Sequence, residues 1–288
     1  MVDLQGVSMI YLGPAGIPIS CKKRSTLACL EYLSKIGLNA MEVEFVRGVK
    51  MSEKLAEEIG RVAKRFGIKL SVHAPYFINL CSEDEEKVKA SKRRILEALD
   101  RAQRMGAECV VVHAGYYGRM EKDEAMEKIM VELTDIIERG GEEPKLAIET
   151  MAKQTQFGSL EEVLELCKRM KKRVVPLVDF MHIFVRNGGK IDYGQVLDKL
   201  EKMGFEHIHS HFSNSKYNIN TKRFMDVHVP MNKHPPFEPL AEEIVKRGTN
   251  ITIISESPVL EKDSLKMMEI IKKVSVQTRS MYGSRKVN

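Results

Sequence analysis

Short apolar runs alternate along the chain with longer stretches in which apolar residues recur at helical spacing. The β-branched runs predict eight strands, near residues 7–12, 39–45, 68–73, 108–113, 145–149, 174–179, 206–211 and 250–256. The amphipathic stretches predict eight helices, near 24–36, 52–66, 83–105, 122–139, 159–171, 192–203, 237–247 and 261–277. A repeated strand-then-helix order is typical of parallel sheets, and eight such units predict an α/β fold of the (β/α)8 TIM barrel type.

The positions of glycines between the predicted helices and strands agree with a single barrel. Gly37, Gly67, Gly106 and Gly204 each lie between a predicted helix and the next strand, where a left-handed residue lets the chain turn back. One barrel takes about 250 residues, so the 288 residues leave no room for a second domain. We predict one domain over residues 1–288, with residues from about 278 to 288 forming a flexible basic tail.

Composition excludes several classes of protein. No apolar run approaches the roughly 20 residues of a membrane span, and the amino-terminal MVDLQGVSMIYLG lacks the basic start of a signal peptide. We therefore expect a cytoplasmic protein that does not contact membranes. The five cysteines are scattered without CxxC spacing, which argues against disulfides and against a thiolate zinc site and predicts reduced, mostly buried thiols. The net charge of +6 is compatible with a polyanionic partner.

Histidines and carboxylates stand at or just beyond the predicted carboxyl ends of six consecutive strands. Active sites of TIM barrels collect at that end. Imidazole and carboxylate ligands without thiolate suit zinc or manganese with open coordination positions. The candidate metal ligands are His73, His113, Glu149, Asp179, His182, His211, Asp226, His228 and Glu256.

Each candidate taken alone has an ordinary structural explanation. A lone histidine such as His73 or His113 is often a hydrogen-bonded core residue, and Asp179 could form a local hydrogen bond. Glu149 and Glu256, however, end strongly apolar strands, where an unpaired carboxylate would cost on the order of several kcal/mol. Because several carboxylates at one barrel mouth would repel each other, their convergence indicates bound cations.

Three histidines alternate in HIHSHFSNSK, at positions 207, 209 and 211. Residues two apart on a strand point to the same side, so all three rings should face the barrel interior at successive depths. We predict that His211 is a metal ligand, that His209 lies one layer below it and that His207 lies near the opposite end of the strand.

The segments SVHAPYFINL, VVVHAG, LAIET, VDFMH, HFSNSK, DVH and SESP resemble, in order and spacing, the motifs of endonuclease IV. This family comprises metal-dependent apurinic/apyrimidinic endonucleases of the xylose isomerase-like barrel superfamily. The resemblance spans most of the chain and implies a hydrolase that cleaves DNA 5′ to abasic sites in base excision repair. It also implies three bound ions, chiefly Zn²⁺, with Mn²⁺ as an alternative in some positions.

The resemblance assigns these ions to three groups of ligands. His73 and His113 would hold one ion, and Glu149 would bridge it to a second ion. The second ion would also be held by Asp179, His211 and Glu256, and the third by His182, Asp226 and His228. The resemblance further implies that Glu149 is catalytic and orients the attacking water or accepts its proton.

The loops depart from the family more than the ligands do. The loop after strand two, FVRGVKMSEK, is short and keeps only Arg47 of the family's groove-entering residues, and MAKQTQFGS and VPMNKHPPFEPL replace the usual segments after strands five and seven. Tyr76 and Phe77 match the residues that fill the gap left by a flipped nucleotide. The predicted DNA contacts are Arg47, Tyr76, Phe77, Lys216, Lys222, Arg223 and Lys233.

Two other functions stay open on the sequence. A sugar isomerase or epimerase of the same superfamily would need only Glu149, Asp179, His211 and Glu256 for one ion. A catalytically inactive nucleic-acid-binding homologue would not need all nine candidate ligands. The hypothesis that best explains the whole set is an endonuclease acting as a monomer on DNA that contains abasic sites.

Overall fold

The computed structural model describes residues 9–283, which form ten strands and nine helices. The strands are β1 (Ile10–Pro14), β2 (Ala40–Glu44), β3 (Lys69–His73), β4 (Cys109–Val112), β5 (Lys145–Glu149), β6 (Val174–Asp179), β7 (Ile208–Phe212), β8 (Asn214–Asn218), β9 (Arg223–Val229) and β10 (Ile251–Ser255). The helices are α1 (Thr26–Lys35), α2 (Glu53–Phe66), α3 (Glu85–Met105), α4 (Lys122–Gly140), α5 (Leu160–Arg169), α6 (Phe180–Arg186), α7 (Tyr193–Lys202), α8 (Glu238–Arg247) and α9 (Glu261–Gly283).

Eight parallel strands form the barrel, in the order β1, β10, β7, β6, β5, β4, β3, β2. The circle closes between β1 and β2 through a bridge from Ala15 to Glu42 and through the side chain of Asn39, which accepts from the Leu12 N–H at 2.7 Å. A Cβ at Gly13 would lie 1.9 Å from the carbonyl oxygen of Ala40. Only glycine allows this close approach of the two closing strands.

The hydrophobic core has two parts. The larger part fills the space between the sheet and the surrounding helices, and a small cluster of Cys109, Val111, Ala147 and Leu177 fills the barrel interior. Neighbours along a strand point to opposite sides, so Val111 faces the interior while Val110 and Val112 belong to the outer core. The interior is therefore packed with side chains below the mouth.

The helices begin where side chains can cap them. The hydroxyls of Ser25, Ser52 and Ser159 accept hydrogen bonds from first-turn N–H groups, and Ser159 forms a reciprocal capping box with Glu162. This box begins α5 at the end of the loop that follows β5. The loop itself borders the barrel mouth.

The predicted barrel is confirmed, with every predicted strand and helix present. The first strand spans Ile10–Pro14 instead of 7–12, and residues 7 and 8 lie outside the described residues. The four glycines at helix ends all have positive φ. All five cysteines are buried and free, as predicted. Within the described residues, none of the helices combines the length and apolar character that a membrane span requires.

Two features differ from the sequence prediction. The stretch after β6 forms the short helix α6, and the predicted loop after strand seven is the antiparallel hairpin β8–β9. The last helix, α9, continues to Gly283, so the tail predicted from residue 278 is helical up to there, and residues 284–288 lie outside the described residues.

Candidate metal centre

The predicted metal ligands converge on the carboxyl-terminal mouth of the barrel. Four of them end a barrel strand or lie within one, and two follow a strand directly. His73 ends β3, Glu149 ends β5, Asp179 ends β6, His211 lies in β7, His113 follows β4 and Glu256 follows β10. Parallel strands place these side chains on one rim.

The remaining three ligands come from elements that the sequence did not predict. His182 lies in the first turn of α6, where its N–H donates to the Asp179 carboxylate at 2.7 Å. Asp226 and His228 lie two residues apart on β9, so both face the mouth. Ser213, at the base of the hairpin, lies with its Oγ 2.8 Å from His228 Nδ1. These three residues are therefore held by a helix turn and a hairpin, not by a flexible loop.

The nine side chains form three groups. In each group the possible ligand atoms lie within 4.8 Å of one another. The first group is His73, His113 and Glu149; the middle group is Glu149, Asp179, His211 and Glu256; the third group is His182, Asp226 and His228. The grouping is the one that the resemblance implied, whereas ion binding itself stays a prediction.

Glu149 joins these groups. Its Oε2 lies 2.8 Å from His113 Nε2 and 3.3 Å from His73 Nε2. Its Oε1 lies 3.1 Å from His182 Nδ1 and 3.7 Å from His211 Nδ1. Each carboxylate oxygen thus faces a different set of histidines, which is the arrangement of a bridging ligand.

Several buried polar atoms of the centre have no hydrogen-bond partner. They are Glu149 Oε1, Asp179 Oδ2, His211 Nδ1 and Glu256 Oε2. Buried polar atoms in folded proteins are almost always hydrogen-bonded, so each exception needs an explanation. Divalent cations would satisfy all four, and nitrogen and oxygen donors without thiolate suit zinc or manganese. The residues therefore fit a metal centre.

The buried acidic and basic groups of the centre shift each other's pKa values. Burial opposes charge on His73, but its hydrogen bond to Glu149 prevails and raises the pKa of His73 to about 10. Burial likewise opposes charge on Glu149, yet the electrostatic interaction with His113 and the proximity of the His182 and His211 rings hold the pKa of Glu149 well below its usual range. Burial raises the pKa of Asp179 to about 6. Metal binding would displace protons from the histidines, because only neutral imidazole is a ligand.

A cavity of about 580 Å³ opens above the three groups. Tyr76, Tyr116 and Lys153 contribute to its walls, and Lys153 Nζ lies 3.5 Å from Asp226 Oδ2. The Tyr76 ring packs near His73 and His113, with centroid separations of 5.2 and 5.8 Å. A ligand of sugar or nucleotide size can therefore reach the centre between two aromatic rings and a lysine.

The predicted DNA contacts lie at different distances from this cavity. Tyr76 lines it, and the neighbouring Phe77 is 66% exposed in the loop after β3. Arg47 is exposed in the turn after β2. Three further contacts, Lys216, Lys222 and Arg223, lie on the hairpin, and Lys233 follows it. Their contact with DNA stays a prediction.

Three side chains near the centre were not among the predicted site residues. Glu42 is buried below the mouth, Glu44 lies in the cavity wall, and Lys153 lies in the loop after β5. The signal for the two glutamates was available, because both sit at interior-facing positions of the otherwise apolar strand AMEVE. Burial raises the pKa of Glu44 to about 8.

Comparison with known proteins identifies the family. Residues 30–274 match the family model described as xylose isomerase-like TIM barrel. The chain belongs to this family. The predicted superfamily is thereby confirmed, and the barrel and its ligand-rich mouth agree with membership.

Relatives of this xylose isomerase-like barrel carry different names. An uncharacterised protein of Methanocaldococcus jannaschii is 34% identical over 91% of this chain and 96% of its own length. A probable endonuclease 4 of Mycoplasmopsis synoviae is 28% identical over 69% of this chain and 73% of its own.

Solved structures share the barrel at lower identity. A D-tagatose 3-epimerase-like protein superposes with a TM-score of 0.70 at 22% identity, covering 93% of this chain and 99% of its own. Endonuclease IV of Thermus thermophilus superposes with the same TM-score at 20% identity, covering 92% and 99%. The two similarities support the fold equally and do not distinguish an epimerase from an endonuclease.

Proposed function

We propose that the protein is a metal-dependent phosphodiesterase that cleaves DNA 5′ to abasic sites, as base excision repair requires. Three divalent ions would be bound, chiefly zinc, with manganese as an alternative in some positions. The observation that carries the proposal is the third group, because His182, Asp226 and His228 lie against a centre that a one-ion enzyme would already complete. The relative named endonuclease 4 supports the same activity.

The bound ions, Glu149 and Lys153 would have separate roles in cleavage. When bound, divalent ions supply Lewis-acid chemistry and generate a nucleophile from water near neutral pH. Glu149 would hold the first and middle groups together and accept or orient a proton at Oε1, its buried atom without a hydrogen-bond partner. Lys153, next to Asp226, would contact a phosphate oxygen at the third group.

The mouth offers matching contacts for nucleic acid. Tyr76 and Phe77 present exposed ring surface beside the cavity and would occupy the gap left by an extruded nucleotide. Arg47, Lys216, Lys222, Arg223 and Lys233 would contact the phosphate backbone, which gives binding that is salt-sensitive and independent of sequence. We expect the enzyme to act as a monomer in the cytoplasm.

A second candidate function is a sugar isomerase or epimerase. The middle group supports it, because Glu149, Asp179, His211 and Glu256 would hold one ion without help from the other two groups. It leaves the His73–His113 pair and the third group without a role. A non-catalytic nucleic-acid-binding homologue explains the set even less well, because it needs none of these buried charges.

Metal analysis combined with a nicking assay distinguishes these functions. Zinc-loaded protein should contain about three ions per chain and should nick an oligonucleotide duplex with a single abasic site. Asp226→Asn should lose one ion and most of the nicking, whereas Arg139→Met, far from the mouth, should change neither. One tightly bound ion, no nicking and interconversion of a ketose and an aldose would reject the endonuclease and support the isomerase.

A further inference from the structure

His211 differs from His73 and His182 in the ring nitrogen that it turns toward the middle group. His73 Nδ1 lies 2.7 Å from the carbonyl oxygen of Ala74, and His182 Nδ1 lies 2.9 Å from that of Thr150. A carbonyl oxygen only accepts, so in both residues Nδ1 carries the proton and Nε2 is left for a ligand bond. His211 is reversed, because its Nδ1 faces Glu256 at 3.4 Å.

The other nitrogen of His211 meets a buried carboxylate. Glu42 Oε1 lies 2.9 Å from His211 Nε2, and both side chains are fully buried. Neither atom has a hydrogen-bond partner among the described residues, so the short distance leaves each with one unused polar atom that faces the other. Glu42 itself is held by a hydrogen bond from the adjacent strand β3, and a histidine of β7 lies close to it. Ser71 Oγ donates to Glu42 Oε2 at 2.7 Å, and His209 Nε2 lies 3.5 Å from the same oxygen. The carboxylate thus sits in a fixed position below the metal centre and outside the cavity.

We infer that Glu42 is a positioning residue for the metal ligand His211. With its ring oriented toward the middle group, His211 would donate its Nε2–H to Glu42, and this hydrogen bond would set the tautomer whose Nδ1 lone pair points to that group. In metal sites, a carboxylate behind a histidine ligand orients the ring and raises its basicity, and removing it costs about 10–100-fold in metal affinity. The inference rests on the metal centre proposed above and does not depend on the reaction.

A metal ion below the centre is the competing explanation. Glu42, His209 and His211 offer three buried atoms within 4.8 Å of one another, which could hold an ion. Such an ion would take the Nε2 lone pair of His211 while the middle group takes Nδ1. Neutral imidazole has only one free lone pair, so His211 would have to lose both ring protons. The hydrogen bond requires no such deprotonation and leaves Ser71 with its acceptor.

The tautomer of His211 can be observed directly. In zinc-loaded protein with ¹⁵N-labelled histidine, long-range ¹H–¹⁵N correlations should show His211 protonated on Nε2, with the signal assigned by comparison with His211→Ala. His211 protonated on Nδ1, or on neither nitrogen, would overturn the inference. This measurement uses the unmodified site and does not depend on whether a Glu42 variant folds.

Zinc affinity tests the consequence. Glu42→Gln should weaken one of the bound ions about 10–100-fold in a chelator competition and leave the others unchanged. Glu42→Asp, which keeps a carboxylate one methylene further away, should restore part of that loss. The matched control is Thr252→Val, which removes a partly buried hydrogen bond between Thr252 Oγ1 and His207 Nε2, 2.8 Å long, without touching Glu42.

The outcomes separate this inference from the proposed function. If ions bind and Glu42→Gln affects none of them, the positioning role is wrong and the metal centre survives. An additional ion per chain that Glu42→Gln loses would place a metal among Glu42, His209 and His211 and overturn the inference. A protein that binds no zinc would remove the proposed centre and this inference with it.

Discussion

Arg186 provides a sharp test of how the mouth is held in place. Its side chain on α6 is only 6% exposed, and its Nη1 donates to the carbonyl oxygens of Met151, Lys153 and Gln156 at 3.1, 2.5 and 3.1 Å. It also lies 3.6 Å from the Glu162 carboxylate. One guanidinium therefore holds three backbone carbonyls of the loop after β5. One of them belongs to Lys153, whose side chain reaches the third group.

The expected cost of Arg186→Met follows from these contacts. Each hydrogen bond to a charged group contributes a net of about 1.5–3 kcal/mol to the free energy of unfolding. These values do not add up for three bonds, because water can replace part of the lost hydrogen bonding at the site of the substitution. Breaking a buried ion pair costs about 3–5 kcal/mol. Because the methionine keeps the packing of the aliphatic stem, we expect the free energy of unfolding to fall by about 3–5 kcal/mol.

Urea unfolding of metal-free protein measures this cost. Arg139→Met is the matched control, because Arg139 forms an exposed i,i+4 pair with Asp135 at 3.4 Å and should lose less than about 1 kcal/mol. Arg186→Lys keeps the charge but reaches fewer carbonyls, so it should fall between the two. An Arg186→Met variant as stable as Arg139→Met would refute this role of Arg186.

Three further predictions concern the centre and its substrate. His211→Ala should remove one ion and His209→Ala none in metal analysis after dialysis, and equal losses would show that the layering of β7 is wrong. In metal-free protein, the interactions of His73 stabilise the folded state fully below its unfolded pKa of 6.5, and this stabilisation is lost as pH rises toward about 10. The interactions of Glu149 stabilise the folded state above pH 4.5, and this stabilisation is lost as pH falls. The urea midpoint should therefore be highest between about pH 4.5 and 6.5, and a midpoint still rising above about pH 8 would contradict this sign. Because the loop around Arg47 is short and nucleotide ejection costs a few kcal/mol, roughly, nicking should increase on bubbled or single-stranded abasic DNA and fall steeply with salt. Equal rates on intact and bubbled duplex would contradict it.

The barrel could be predicted from sequence because its signal is repeated. Most β/α units show a buried apolar run followed by a helical period, and an error in one unit does not alter the others. The candidate ligands at strand ends could be located for a related reason, since the position of Glu149 or Asp179 follows from where an apolar run stops.

The hairpin could not be predicted in the same way. Its strands are amphipathic and short, and the segment RFMDVHV alternates exposed and less exposed residues around Asp226 and His228. That period of two was visible, but it has no apolar core face to distinguish it from a polar loop.

The role of Glu42 was missed for a different reason. Its position in the strand AMEVE was visible, but its partner His211 is distant in sequence, so only the closed barrel brings the two together.

The placement of Asp226 and His228 on the hairpin has an evolutionary consequence. The barrel strands and the residues that directly follow them carry the first and middle groups, while the third group takes two of its three residues from the hairpin inserted between β7 and α8. Gain or loss of that insertion would change the number of ions the barrel can hold without altering a strand of the sheet.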